Sequence, residues 1–135
     1  MRNCMKKEID QIGNKKTWIS LVGRLCRSIK SWSEEKGWHV EEHDKQITED
    51  NIGSYVVPSL FIASPNGRIH IDPVGRNIIG AKGRVDIYAY PTLNRLLLIR
   101  TSNKWKIKTD SRIDWPDPWG KETFIKIVNA LTHAR

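Results

Sequence analysis

Between Asn14 and Gly37 the apolar residues Trp18, Leu21, Val22, Leu25, Cys26, Ile29 and Trp32 recur at intervals of three and four, with Lys16, Arg24, Arg27 and Lys30 between them. Such spacing puts the apolar set on one face of a helix, so it predicts an amphipathic helix capped by Asn14 and stopped by Gly37. Gly23 inside it costs about 1 kcal/mol relative to alanine, which points to close packing there or to a locally weak helix. The polar residues 1–13 are expected to form a disordered leader, leaving 14–135 as one domain.

Beyond Trp38 the period shortens. Residues 38–53 are net acidic, with Glu41, Glu42, Asp44, Glu49 and Asp50 against Lys45; they read as an edge strand and a loop. Tyr55 to Ala63 is dense in aromatic and β-branched residues, as a buried strand is, and Pro58 marks a bulge or an edge position. Ser64-Pro65-Asn66-Gly67 predicts a hairpin turn, because Asn and Gly tolerate the positive φ of a tight turn. Arg68 to Asp72 is the partner strand. After a glycine-bearing loop, Pro73 to Gly83, strands are expected at Arg84–Tyr90, Arg95–Arg100 and Lys104–Thr109, with turns at Pro91–Asn94 and Ser102–Asn103. Asp114-Trp115-Pro116-Asp117-Pro118-Trp119 reads as a rigid linker whose Asp117 and Pro118 open a last helix running to about Ala134.

Short connections favour antiparallel pairing, since a parallel crossover needs about a dozen residues, usually helical. The expected fold is therefore α+β: an N-terminal helix, an antiparallel meander of five to six strands, and a C-terminal helix packed on one face. Ile69, Ile71, Val85, Ile87, Ala89, Trp105 and Ile107 would then enter the core. Alternation sends Arg68, His70 and Asp72, then Arg84, Asp86, Tyr88 and Tyr90, then Lys104, Lys106 and Lys108 to the opposite face.

Composition narrows the class. The 135 residues carry 23 Lys and Arg against 15 Asp and Glu, a net charge of +8, and are 39% hydrophobic. A chain of this length buries roughly two thirds of its unfolded surface, enough for a core without disulfides or a structural metal. No Gly-X-Y period or disorder-type composition is present. Two cysteines, Cys4 and Cys26, match a reducing compartment. The charged start, Met1 to Asp10, lacks the apolar stretch of a secretory signal, and no run reaches the ~18 apolar residues of a membrane span. A cytoplasmic protein without membrane contact is expected.

Aromatic rings on a basic sheet face suit nucleic acid, with bases stacking on the rings and Lys or Arg neutralising phosphates. On this first reading Arg68, Arg84, Tyr88, Tyr90, Lys104, Lys106 and Lys108 form the face, aided by Arg76 and Lys82 from the glycine loop. The protein is then a small, non-catalytic binding domain needing no cofactor. The acidic segment 41–50 either folds back over this face or is a solvated loop. The alternative is an adaptor, antitoxin-like or immunity-like module that binds an acidic protein partner or forms a homodimer. Trp115, on its proline-stiffened segment, would then be a partner contact, or else an anchor for the last helix.

A third reading is a hydrolase or nuclease-like enzyme on His70, Asp72 and Asp86, an imidazole and two carboxylates able to act as acid and base or to hold a cation. The stretch Gly83-Arg84-Val85-Asp86-Ile87, followed by Leu96 to Arg100, resembles the strand pair of PD-(D/E)XK nucleases. That resemblance implies a cation held at Asp86. The positions that family fills with Glu and Lys hold apolar residues, Arg100 and Thr101, so two of its three defining groups are missing. Gly75, Gly80 and Gly83 lack the spacing of a phosphate-binding loop, and Cys26 points to the core, so neither a nucleotide loop nor a cysteine nucleophile is expected.

Overall fold

Successive runs joined by short loops satisfy their backbone N–H and C=O groups most directly by each pairing with the next. The computed structural model, which describes residues 2–50, 52–76, 82–111 and 113–133, with side chains from Lys15 onward, has that arrangement. Its elements are α1 (Arg2–Glu35), β1 (His39–Glu49), β2 (Gly53–Ser64), β3 (Gly67–Gly75), β4 (Arg84–Tyr90), β5 (Arg95–Arg100), β6 (Trp105–Thr109) and α2 (Lys121–Thr132). The strands lie side by side in chain order, each antiparallel to its neighbours. The α+β meander read from the sequence is the fold.

Both helices cover one face of the sheet. α1 buries Trp18, Val22, Leu25, Cys26 and Ile29, and α2 buries Phe124, Ile127, Val128 and Leu131. They meet Ile69 and Ile71 of β3, Val85, Ile87 and Ala89 of β4, Leu96 and Leu98 of β5, and Ile107 of β6. Each aliphatic side chain taken fully from water contributes about 1.5–3 kcal/mol, so this layer dominates stability. Trp105 is only half-buried, at the margin of the layer.

The expected stop of α1 is present. Gly37 sits at φ +78°, its N–H donates to Glu34 O at 2.9 Å, and the Trp38 N–H donates to Ser33 O at 3.0 Å, the paired bonds of a Schellman ending. The start differs: α1 begins at Arg2, so the backbone expected as a leader is helical and Asn14 lies within the helix rather than capping it. At Gly23 a Cβ would meet only the far end of the Arg27 side chain, at 3.4 Å. Nothing packs closely there, and the glycine simply weakens the helix.

The β2–β3 turn is centred on Pro65 and Asn66, with Ser64 paired to Gly67, and neither Asn66 nor Gly67 has positive φ. Gly67 is required by a close approach instead, because a Cβ would lie 2.7 Å from Tyr90 O and 3.2 Å from Thr132 Cγ2. The β4–β5 turn meets the same helix end, where Thr92 Oγ1 and Asn94 Nδ2 donate to Leu131 O at 2.5 and 3.0 Å. α2 begins later than expected, at Lys121 with Gly120 as N-cap. The Asp117 carboxylate accepts from Lys126 rather than from the helix backbone, and Trp119 is drawn against Trp32 and Phe124, 5.7 and 6.0 Å between ring centres. Residues 113–115 run along the free side of β6: Ile113 O accepts from Thr109 N–H and the Trp115 N–H donates to Ile107 O, with a bridge between Lys108 and Asp114.

The acidic segment is the expected edge strand, longer than read, since β1 takes in residues 39–49, and the long β1–β2 hairpin exchanges its inward face midway. Val40, Leu60 and Ile62 point inward near its base; Ile47, Tyr55 and Val57 are the buried residues toward its tip. The exchange falls at Pro58 and Ser59, where Ser59 and Leu60 are buried in succession and Ser59 Oγ donates to His43 O at 3.3 Å.

Gly83 has φ +150°, and a Cβ there would lie 2.3 Å from the Trp18 ring. Gly83→Ala is expected to cost at least about 2 kcal/mol through overpacking and backbone strain, whereas Gly23→Ala should add up to about 1 kcal/mol. Urea unfolding of the two variants beside the parent protein checks both signs.

Candidate binding face on the outer side of the sheet

The register sets the uncovered face row by row. Phe61, His70, Tyr88 and Arg95 stand abreast on β2 to β5, and Ala63, Arg68 and Tyr90 form the row beside them. On the other side lies the row Asp72, Asp86, Leu97 and Lys108, then Arg84, Ile99 and Lys106. The alternation read for β3 and β4 therefore places its residues on the expected side. Lys104 does not belong to the set, since β6 begins at Trp105 and Lys104 lies in the preceding turn.

Aromatic rings form a continuous strip across four strands. His43 meets Phe61 edge-on at 5.3 Å, and Phe61 stacks on His70 at 4.1 Å with the planes 13° apart. His70 meets Tyr88 at 4.9 Å and shares a 2.6 Å hydrogen bond between Nδ1 and the phenol oxygen, while Tyr88 meets Tyr90 at 5.7 Å. Phe61 and Tyr90 remain 42% and 44% exposed. The face is concave, a cleft of about 1290 Å³ whose lining includes His39, Glu41 and His43 of β1, Phe61, Arg68, His70 and Tyr90.

Phe61 and His43 escape the sequence reading, because β2 reads as uniformly buried and residues 38–53 as a polar edge. The one local signal is Pro58, where the hairpin exchanges faces.

The carboxylates that β3 and β4 place on this face are each held by a cation, while Glu41 and Asp44 of β1 also line the cleft. Lys45 donates to Asp72 Oδ1 at 2.5 Å and to Pro73 O at 2.6 Å. Asp86 accepts from both Arg84 Nε and Nη2, at 2.7 and 3.0 Å, and lies 3.7 Å from Arg95. Although it is on the outer face, Asp86 is 5% exposed, beside its β5 partner Leu97, which is 4% exposed. A carboxylate buried to this degree is tolerable only when paired and hydrogen-bonded. Lys108 is likewise bound to Asp114, at 3.1 Å.

The nine expected nucleic-acid contacts are therefore not one patch. Arg68, Tyr88 and Tyr90 gather with Phe61 and His70. Arg84 and Lys108 are committed to carboxylates, Lys106 lies on β6 in the row of Arg84, and Arg76, Lys82 and Lys104 sit at the other end of the sheet. The Arg76 N–H donates to Glu49 Oε1 at 2.9 Å. Trp115 packs against the core beside β6, the position of an anchor.

The enzymatic trio does not converge by hydrogen bonding: His70 bonds Tyr88, Asp72 bonds Lys45 and Asp86 bonds Arg84. Among the described residues no group of three His, Cys, Asp or Glu side chains is placed to hold a metal ion. Asp86, the residue matching the nuclease strand pair, is occupied by guanidinium. Burial pushes the Cys26 thiol up to about 12, where it is a buried, protonated side chain facing Pro58 O at 3.7 Å.

Burial also lowers the pKa of His70 below 6.5, with Asp72 opposing and Lys45 reinforcing the shift, and it raises Tyr88 to about 12. The unfolded chain then takes up the His70 proton first as pH falls. The contribution of the neutral ring to stability is complete above 6.5, declines as pH drops below 6.5, and is fully lost below the depressed native value. NMR titration should place the His70 midpoint below the ordinary 6.5 of a histidine, and His70→Gln should flatten this part of the stability profile in urea unfolding.

Compared with protein-family models, with curated proteins and with solved structures, the chain finds no significant match in any of the three.

Proposed function

We propose that this protein is a non-catalytic domain that binds single-stranded nucleic acid on the outer face of its sheet. The observation that carries the reading is the aromatic strip from His43 to Tyr90, left uncovered by either helix. Base–aromatic stacking contributes about 1–3 kcal/mol per base and tolerates any sequence, because every base has a π face. Phe61 and His70 already stack on one another, so the exposed ring of Tyr90 and the outer edges of Phe61 and Tyr88 are the surfaces left for bases.

Electrostatics support the same ligand. The internal pairing of Asp72 and Asp86 neutralises the carboxylates of β3 and β4 that would repel phosphate, leaving Glu41 and Asp44 on the β1 side of the cleft. Arg68 beside Tyr90 and Lys106 on β6 make no salt bridge among the described residues, and the net charge of +8 adds long-range attraction to a polyanion. Strand spacing of ~4.8 Å sets β6 about 10 Å from β4, a span that a nucleotide backbone follows easily.

A second reading, the interaction module, is favoured by the edges of the sheet. β6 is covered by residues 113–115, whereas β1 presents eleven residues with no strand on its outer side among the described residues. Its charges, Glu41, Glu42, Asp44 and Lys45, guard such an edge against indiscriminate pairing. The strand it would accept is basic rather than acidic.

Fluorescent single- and double-stranded DNA and RNA, titrated across a salt series with light scattering on the same sample, separate the two. Expected is micromolar binding of single strands that weakens steeply with salt, by about 0.7 log units per log unit of salt for each phosphate neutralised. Tyr90→Ala and Phe61→Ala should each weaken it by roughly 5- to 150-fold, and Arg68→Glu should reduce the salt slope, with circular dichroism unchanged. Absence of binding even at low salt, together with a dimer by scattering, overturns this reading in favour of pairing through β1.

A further inference from the structure

A second, smaller groove lies at the β6 edge, away from the aromatic strip. It has a volume of about 560 Å³ and is lined by Trp105, Trp115 and Trp119 together with Arg100, Asn103, Lys104 and Lys106. That volume lies within the ~300–1,000 Å³ of small-molecule sites. Pro116 and Pro118 stiffen one wall, and the bonds of residues 113–115 to β6 fix that wall against the sheet.

The charges here are unbalanced in a specific way. The groove's two carboxylates are committed to lysines outside its lining, Asp114 to Lys108 at 3.1 Å and Asp117 to Lys126 at 3.4 Å. Arg100, Lys104 and Lys106 make no salt bridge among the described residues. Arg100 instead lies over the Trp105 ring, 5.4 Å from its centre. Its backbone is held on both sides, accepting from the Lys82 N–H at 2.9 Å and donating to Gly83 O at 2.8 Å. Burial lowers its pKa, and the nearby Arg24 adds to the shift. Trp115 Nε1 is buried without a hydrogen-bond partner among the described residues, and a buried donor left unpaired costs free energy.

We propose that this groove binds a phosphorylated aromatic ligand, the base and phosphate of a nucleotide, with the phosphate on Arg100 and Lys104 and the base against the tryptophans. An aliphatic ligand would leave the cations unanswered, and an inorganic anion would leave the indole walls unused. The groove and the aromatic strip share no aromatic residue, and only Lys106 on β6 borders both. Its ligand has two sources, a free nucleotide or the phosphorylated end of a nucleic-acid strand.

The test is titration of the intact protein with 5′-AMP, adenosine and inorganic phosphate, read by calorimetry and by the NMR signals of the six indole N–H groups. Expected are shifts of the Trp105, Trp115 and Trp119 indoles with AMP, and at least tenfold weaker binding of adenosine and of phosphate alone. Lys104→Ala, in an exposed turn, and Arg100→Gln should each weaken AMP by about tenfold, the loss of one charge-assisted hydrogen bond. Tyr90→Ala on the other face should leave AMP affinity unchanged, even if the sheet face proves to bind nothing. Equal binding of phosphate and AMP, unmoved indoles, or unchanged affinity in Lys104→Ala overturns the site. Competition by a 5′-phosphorylated oligonucleotide, but not by its dephosphorylated form, identifies the strand end as the source; AMP binding that neither displaces identifies a free nucleotide. Either result supports the site.

Discussion

The apolar stripes of α1 and α2 are both buried against the same face of one sheet, and the rest of the molecule follows from that one-sided layering. Six strands in an antiparallel meander have two faces, and the chain supplies helices for only one of them. The other face must therefore be built from side chains that tolerate water. Here it is built partly from aromatic rings, which lose more by exposure than Thr, Ser or Lys would in the same positions. The uncovered rings, rather than the overall charge, are what make this face distinctive.

Two close contacts hold the layer in place. Trp18 of α1 rests directly on the backbone at Gly83, where β4 is about to begin, and the end of α2 is tied to the β4–β5 turn through the Leu131 carbonyl. Because both contacts reach β4, that strand is located from both of its ends. Its outward residues, Asp86, Tyr88 and Tyr90, are accordingly the best positioned on the outer face. Asp86 shows the consequence: it can be buried on a nominally solvated face because Arg84, two residues away on the same side of β4, and Arg95 of β5 stand ready to neutralise it.

Ion pairing then divides the basic residues into those that answer carboxylates and those that make no salt bridge among the described residues. Arg84, Lys45 and Lys108 answer carboxylates on or beside the sheet, while Arg68 stands by the aromatic strip and Arg100 and Lys104 by the tryptophan groove. The net charge counts all of these alike. A high pI thus describes the long-range field, whereas the allocation of each cation describes where an anion can dock.

Much of this was legible in the order of residues. Helical periodicity from Trp18 to Trp32, the glycine that ends α1, and the alternation along β3 and β4 are near-neighbour properties, set by the 3.6- and two-residue repeats of the backbone itself. They identified the inner and outer sides of those strands, and with them His70, Tyr88 and Tyr90. The remainder depended on partners distant along the chain. Phe61 faces outward because the β1–β2 hairpin exchanges its inward face at Pro58, and α2 opens at Lys121 because Trp119 is drawn onto Trp32. The Arg84–Asp86 pair, two residues apart on one side of β4, is a local contact, but Lys108 was indistinguishable from Arg68 and Lys106 until residues 113–115 ran back along β6 and brought Asp114 within reach. Local repeats decide which way a side chain points; which other side chain it then meets is decided by strand register and helix docking, and these join residues that the sequence keeps far apart.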